Sequence, residues 1–344
     1  MNSIINRRIV LATRPQGAPQ SSDFSMVSES VPELRQGEIL SRTIYLSLDP
    51  YMRARMNTGK SYAAPVEIGE TMCGSTVSQV EKSSHPEFAR GDYILAYDGW
   101  QEYAVSDGNG IRKLDPAQAP ISTAVGVLGM PGMTAYMGLL EIGQPQSSET
   151  VVVAAATGAV GSVVGQIARL KGCRVVGIAG STEKCEFAVK ALGFDACVNH
   201  KDADFRDSLK TACPDGIDVY FENVGGMVFE AVISLLNFQS RIPVCGLIAH
   251  YNDTELPAGP NVLPKLMRVV LTQRVMLRGF IVTDFADKQG EFYRDMSEWI
   301  KHGKINYRED IVEGLENTIG AFQGLLEGKN FGKLLIRLSQ DATL

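Results

Sequence analysis

The stretch Val151-Val-Val-Ala-Ala-Ala-Thr-Gly-Ala-Val-Gly161 is built to hold a phosphate. It reads as an apolar strand and a tight glycine turn, and Ser162-Val-Val-Gly-Gln-Ile-Ala-Arg-Leu-Lys-Gly172 continues it as a helix. A helix that opens on such a turn offers unpaired N–H donors and the positive end of its dipole, which together suit a dinucleotide pyrophosphate. Thr157, Gly158, Ala159, Val160 and Gly161 are the candidate pyrophosphate residues. Gly158 lets the backbone approach the phosphates, and Gly161 lets the helix pack close to the strand. One departure stands out: the first glycine of the G-x-G-x-x-G fingerprint is Ala156 here. Cys173-Arg-Val-Val-Gly-Ile-Ala-Gly180 follows as a second apolar strand, so the turn has its strand–helix–strand setting.

An NAD site closes that second strand with an acidic residue, roughly 20 residues past the glycines, to bond the ribose hydroxyls. This chain has Gly180-Ser-Thr-Glu-Lys184 there. Gly180 and Ser181 leave room for a 2′-phosphate and Lys184 brings charge for it, so the expected cofactor is NADPH. Glu183 argues for NAD, although at a helix start it also serves the dipole. The same segment can be read as a cap, with Ser181 or Thr182 opening a helix and Lys184 in solvent.

Metal chemistry finds little support. The histidines are His85, His200, His250 and His302, none in a Gly-His-Glu context, and Cys73 has no His or Glu at ligand spacing. Cysteines 73, 173, 185, 197, 213 and 245 form no C-x-x-C pair, so reduced, mostly buried thiols are expected in place of a zinc cluster or redox dithiol.

The elements that would position these residues alternate from residue 150 onward. A helix is expected over 183–192, then strands over 196–199, 217–226, 240–246 and 275–282, with a helix over 228–236. Alternation at these lengths predicts an α/β fold with a doubly wound parallel sheet. The N-terminal part has short strand-like runs at 38–47, 73–80 and 92–96 broken by Gly, Pro and Asp, the texture of an irregular β domain. A helix over 315–327 and a strand over 332–338 close the chain, so the Rossmann unit reads as an insertion into one β-rich domain. The expected boundaries are 1–125 with 305–344 for the β-rich part and 126–304 for the Rossmann part.

At 344 residues the chain exceeds what one core usually organises, which also favours two domains. The net charge of −6 is spread without a basic block, arguing against a nucleic-acid surface. No apolar run suffices to span a bilayer, and Met1-Asn-Ser-Ile-Ile-Asn-Arg-Arg8 lacks the apolar core of a signal peptide. A cytoplasmic protein is the expectation.

This arrangement resembles the medium-chain dehydrogenase/reductase superfamily. Tyr45-Leu-Ser-Leu-Asp-Pro-Tyr-Met-Arg53, Leu128-Gly-Met-Pro-Gly-Met-Thr-Ala-Tyr136, Ala155-Ala-Thr-Gly-Ala-Val-Gly161, Tyr220-Phe-Glu-Asn-Val-Gly-Gly226 and Asn330-Phe-Gly-Lys333 are similar to motifs of its zinc-independent alkenal/one reductases. Prostaglandin reductases, leukotriene 12-hydroxydehydrogenases and bacterial NADPH-dependent curcumin reductases form that group. The likeness runs from about residue 7 to 338, and the extended start and Gly246-Leu-Ile-Ala-His-Tyr-Asn252 look most like the curcumin reductase branch. The resemblance implies a GroES-like β-rich substrate domain, a Rossmann domain binding NADPH, a homodimer, and an enone as substrate.

Without a Lewis acid a simple ketone is a poor substrate, whereas an activated double bond can take hydride at its β-carbon and leave an enolate. The enolate needs an electrostatic partner and a proton. The resemblance points to Tyr251 for both, in a loop at the carboxyl end of a strand, where such folds bind cofactor. A surface tyrosine that only covers the nicotinamide is the other reading. The resemblance further implies cofactor contacts from Thr134, Lys184, Asn223, Cys245, Gly246, Ile248, Phe280, Val282 and Asn330. Phe280 and Val282 could equally be core, and Asn223 a strand-end turn former. His200 stands where mammalian relatives have a tyrosine; it can donate to the phosphate, more weakly once neutral. Tyr51, Tyr62, Met130 and Tyr136 could line a pocket for flat conjugated ligands or simply pack, and Arg53 and Arg55 could meet a carboxylate or lie on the surface. A quinone reductase on the same scaffold and a non-catalytic NADPH-binding protein are the alternative functions.

Overall fold

The computed structural model describes residues 4–255, 259 and 261–344. Sheets of different kinds organise two compact units, one made of residues up to Gly126 with Glu309–Leu344, the other of Val127–Arg308.

The first unit begins with the antiparallel pair β1 (Ile5–Leu11) and β2 (Phe24–Ser30). Then follow β3 (Ile39–Ser47), a single helical turn α1 (Tyr51–Ala54), β4 (Thr76–Ser83), β5 (Tyr93–Ala96), β6 (Tyr103–Ser106) and β7 (Arg112–Leu114). The long strand β3 is almost wholly buried because it pairs with β4 and β6. Trp100, with no exposed surface, anchors the adjoining core between the ring of Phe24, stacked at 5.6 Å, and that of Phe322, edge-on at 5.3 Å.

The second unit starts with α2 (Met130–Met137) and runs through β8 (Thr150–Ala154), α3 (Gly161–Leu170), β9 (Arg174–Ala179), α4 (Thr182–Lys190), β10 (Ala196–Asn199) and α5 (Phe205–Ala212). It continues with β11 (Ile217–Phe221), α6 (Gly226–Ile233), β12 (Leu236–Val244), α7 (Leu263–Gln273), β13 (Met276–Gly279) and α8 (Gln289–Lys301). The six strands are parallel in the order β10-β9-β8-β11-β12-β13, so the winding direction reverses between β8 and β11. The strand β8 is buried throughout, and its side-chain period of two explains why Val151 to Ala154 are all apolar. Val151 and Val153 face one core with Val163, Ile167 and Phe292, while Val152 and Ala154 face the other with Leu209, Val228 and Val232. The chain then returns to the first unit as β14 (Glu309–Glu313), α9 (Thr318–Leu326) and β15 (Lys333–Arg337), and β15 pairs with β3.

The α/β class and the insertion of a parallel unit into a β-rich one agree with the sequence reading, but several boundaries move. The strand expected over 217–226 stops at Phe221, because the Glu222 carboxyl takes the next amides and Gly225 and Gly226 adopt positive φ of 80° and 54°. That turn starts α6 at Gly226, two residues early. β12 begins at Leu236 in place of 240, its register against β11 shifted where Gln239 takes a φ of 58°. β13 ends at Gly279, which leaves Phe280 and Val282 beyond it. Among the described residues no helix is long and apolar enough to cross a membrane.

Helix packing in the second unit depends on glycine at one position that has no special φ. A Cβ on Gly165 of α3 would stand 2.0 Å from the Phe194 ring, whereas one on Gly320 of α9 would meet nothing within 4 Å. Gly165→Ala should therefore cost about 1–3 kcal/mol by overpacking, and Gly320→Ala should gain roughly 0.5–1 kcal/mol from helix propensity. Thermal unfolding of both variants checks the contrast; equal midpoints would show that the α3 contact relaxes freely.

Candidate functional site

The turn after β8 is shaped by backbone strain and close packing. Ala155 takes the left-handed conformation at φ 52°, its carbonyl accepts the Gly158 amide at 2.9 Å, and the Gly158 carbonyl accepts the Ser162 amide at 3.0 Å. A Cβ on Gly161 would lie 2.3 Å from the Ala155 oxygen, so only glycine lets α3 start this close to the strand end. Ala156, in place of a fingerprint glycine, is buried, and its methyl occupies space that a Cβ on Gly177 of β9 would contest at 2.8 Å. The same Cβ would meet Cys197 Sγ and the Phe194 ring at 3.0 Å, so Ala156 is one of three neighbours that keep position 177 a glycine. Val160 precedes α3 without a side-chain cap; the Ser162, Val163 and Val164 amides donate to the Gly158 and Val160 carbonyls, and the positive end of the helix dipole is left for another partner.

At the end of β9, cations gather around Gly180. Ser181 caps α4, accepting the Lys184 amide at 3.3 Å, which is the capping alternative the sequence left open. A Cβ on Gly180 would stand 3.2 Å from His200 Nε2 and 3.6 Å from Lys201 Cε. His200 follows β10 with its amide on the Ala179 carbonyl at 3.0 Å and its ring edge-on to Phe205. Burial, then the charge of Lys201 and that of Lys184, hold its imidazole below the usual range. Two lysines and a half-buried imidazole thus surround the spot where an NAD site would put a carboxylate. Sequence reasoning did not single out Lys201, although it directly follows His200 and the strand end.

Across the point where winding reverses, side chains tie three segments together. Asn223 Nδ2 donates to the Ala154 carbonyl at 2.8 Å, joining the ends of β11 and β8. Glu222, 1% exposed, accepts the Val224 and Gly225 amides at 2.6 and 2.8 Å and the Tyr220 hydroxyl at 3.1 Å, all on Oε1. Burial nevertheless pushes its carboxyl above the ordinary range. The Glu222 carbonyl accepts the amides of Cys245 and Gly246 at 2.9 and 3.1 Å. Burial, with Glu222 adding, pushes the Cys245 thiol up to about 12, which favours the thiol over the thiolate. The following turn, Ile248–His250, is zipped on by Ile248 and Ala249 amides donating to the carbonyls of Asn223 and Val224 at 3.3 and 3.0 Å. The loop brings the Tyr251 hydroxyl back over Gly246, 3.4 Å from the Leu247 amide and 3.1 Å from where a Gly246 Cβ would be.

Other sequence candidates are placed less directly. Thr134, buried on α2, donates to the Met130 carbonyl at 2.8 Å, with Met130 Sδ at 3.6 Å. The Phe280 ring is core, edge-on to Phe221 and Phe285 at 6.3 and 6.2 Å, and Val282 packs on the same cluster. Tyr136 likewise packs, its hydroxyl on Asp295 at 2.7 Å and its ring edge-on to Phe292. In the first unit Tyr51 and Tyr97 share a hydroxyl contact of 3.0 Å, Tyr62 is 57% exposed, and Asn330 Nδ2 donates to the Gly332 carbonyl at 2.8 Å. Arg53 is neither on the surface nor available to a carboxylate ligand. It is buried and donates to Asn57 and the Gly17 carbonyl, both at 2.8 Å. Arg55 borders Cys73 and Tyr97. Among the described residues no three His, Cys, Asp or Glu side chains are grouped to hold a metal ion.

Comparison with known proteins adds the context. The chain matches two family descriptions, N-terminal domain of oxidoreductase over residues 7–114 and zinc-binding dehydrogenase over 159–302. It is 56% identical over 338 residues, 98% of both chains, to an NADPH-dependent curcumin reductase of Escherichia coli (strain K12). It is 43% identical over 331 residues to prostaglandin reductase 1 of Rattus norvegicus, covering 94% of this chain and 96% of that one. Among solved structures it resembles CurA in complex with NADPH from Vibrio vulnificus, at 57% identity and a TM-score of 0.94, with 97% and 100% of the two chains covered.

The charge pattern at Gly180 makes a measurable statement. Lys201→Ala should move the His200 titration midpoint upward, read from the pH dependence of its imidazole NMR signals; a fixed midpoint would mean that the lysine charge does not reach the ring.

Proposed function

We propose a function from one premise: the chain belongs to the zinc-independent medium-chain dehydrogenase/reductase family, in the group of the curcumin and prostaglandin reductases. The reaction is NADPH-dependent reduction of the carbon–carbon double bond of α,β-unsaturated ketones and aldehydes. NADPH supplies the hydride.

The residues around the β8–β11 crevice fit the two ends of that cofactor. The turn from Thr157 to Gly161 offers backbone and an uncapped helix opening to the pyrophosphate. Gly180 and Ser181 leave space, and Lys184, His200 and Lys201 bring charge, for the 2′-phosphate. NADPH, unlike NADH, should then reverse the depressed titration of His200. On the nicotinamide side the proposed contacts are Thr134, Asn223, Cys245, Gly246, Ile248, Phe280 and Val282, and the family resemblance adds Asn330. Asn223 also keeps its bond to Ala154, and Phe280 offers backbone, since its ring is committed to the core. Tyr51, Tyr62 and Met130 are the proposed substrate contacts.

Hydride arriving at the β-carbon of an enone leaves negative charge on the carbonyl oxygen. A phenol can bond that oxygen and assist proton delivery to the α-carbon. The observation that carries the reading is the Tyr251 hydroxyl, folded back over Gly246 at the carboxyl ends of the strands. With an acyclic enone and NADPH the product should be the saturated ketone, and Tyr251→Phe should slow turnover by about a hundredfold, in the usual range for a proton-transfer group. An allylic alcohol as product would move the attack to the carbonyl and overturn the proposal.

We also propose that two copies pair along the β13 edge. That edge strand is exposed along its length, and Leu263, Met267 and Leu271, 55%, 56% and 78% exposed, make an apolar stripe at i, i+4, i+8 on α7. Light scattering should give close to twice the 37.3 kDa chain mass, and Met267→Asp with Leu271→Asp should halve it. A wild-type monomer at micromolar concentration would sink this pairing.

A further inference from the structure

Sequence reasoning gave His250 no role, and its surroundings assign one. The ring ends the turn Ile248–His250 and immediately precedes Tyr251. Its Nε2 lies 3.1 Å from the Gly226 amide and its Nδ1 lies 2.8 Å from Asp253 Oδ2. The amide can only donate and the carboxylate can only accept, so the two contacts define one neutral tautomer: Nδ1–H donates to Asp253 and Nε2 accepts from Gly226. The Gly226 amide is at the opening of α6, whose N-cap is Gly225 and has no side chain to cap with. His250 supplies the missing cap from another segment. Gly225, at φ 80°, makes room for it, since a Cβ there would stand 3.0 Å from the imidazole Cδ2.

We propose that His250 is a positioning residue for Tyr251. By accepting the Gly226 amide while tied to Asp253, it pins the loop that carries the phenol to the start of α6. The proposal rests on the reading of Tyr251 as the group that meets the enolate. The backbone bonds from Ile248 and Ala249 hold the loop's first residues, and His250 holds the side next to Tyr251.

The test is steady-state reduction of an acyclic enone by wild type, His250→Ala, His250→Asn, Tyr251→Phe and the double variant His250→Ala with Tyr251→Phe. His250→Ala should lower kcat by about tenfold, the effect of one positioned hydrogen bond, with the NADPH dissociation constant little changed. The Asn amide oxygen can accept from Gly226, so His250→Asn should recover much of kcat. In the Tyr251→Phe background, His250→Ala should cost almost nothing more, because the pin acts through the phenol. Losses that multiply in the double variant, or a His250→Asn variant as slow as His250→Ala, would overturn the positioning role alone. If Tyr251→Phe were as fast as wild type, the reading of Tyr251 would fail and this role with it.

Discussion

The carboxyl end of the parallel sheet hangs on one buried carboxyl group. Glu222 ends β11 by turning its own side chain onto the two following amides, and its backbone carbonyl receives the amides of Cys245 and Gly246. A carboxyl group 1% exposed is costly unless its hydrogen bonds are made. Here one oxygen takes three donors while the other has no partner among the described residues, and its proton affinity rises accordingly. The return is rigidity in two consecutive loops. Asn223 is left free to reach Ala154, the start of α6 is fixed at Gly226, and the segment from Gly246 to Tyr251 gains a firm backbone to fold against.

What was legible in the sequence follows from what periodicity can encode. The alternation of strands and helices, the parallel sheet and the glycine turn all come from patterns that repeat over many residues, and they survive in the structure. The misplaced boundaries sit where a single side chain competes with the ladder. Glu222 looks like one more residue of an apolar strand until its carboxyl is seen taking Val224 and Gly225. Phe280 and Val282 read as the end of β13, but the strand stops at Gly279, and the Phe280 ring enters the core against Phe221. Arg53 illustrates another limit. An arginine in a short polar-looking run suggests surface or ligand, yet its guanidinium is consumed by Asn57 and a carbonyl 36 residues away in sequence, a contact no local pattern reveals.

The first unit repeats the theme with opposite charges. Lys333 and Asp49 form an ion pair at 2.7 Å with side chains only 5% and 8% exposed, and the lysine also donates to the Leu48 carbonyl at 2.8 Å. Such a pair is weak as a source of net stability, because desolvation offsets most of its attraction, but breaking it would strand a buried charge. It joins the connection after β3 to β15, the strand that returns after the whole nucleotide-type unit has been inserted. The inserted unit thus leaves its host sheet closed by a contact specified in both chemistry and place.

The close approach of Ala156 to Gly177 has a consequence for substitution. A Cβ on Gly177 would meet the Ala156 methyl at 2.8 Å and also the Cys197 sulfur and the Phe194 ring, each at 3.0 Å, so the glycine is hemmed in from three sides. Shrinking Ala156 alone would therefore not open room for a side chain at 177. The position is locked collectively, by residues from separate segments of the chain, and tolerates change only if they change together.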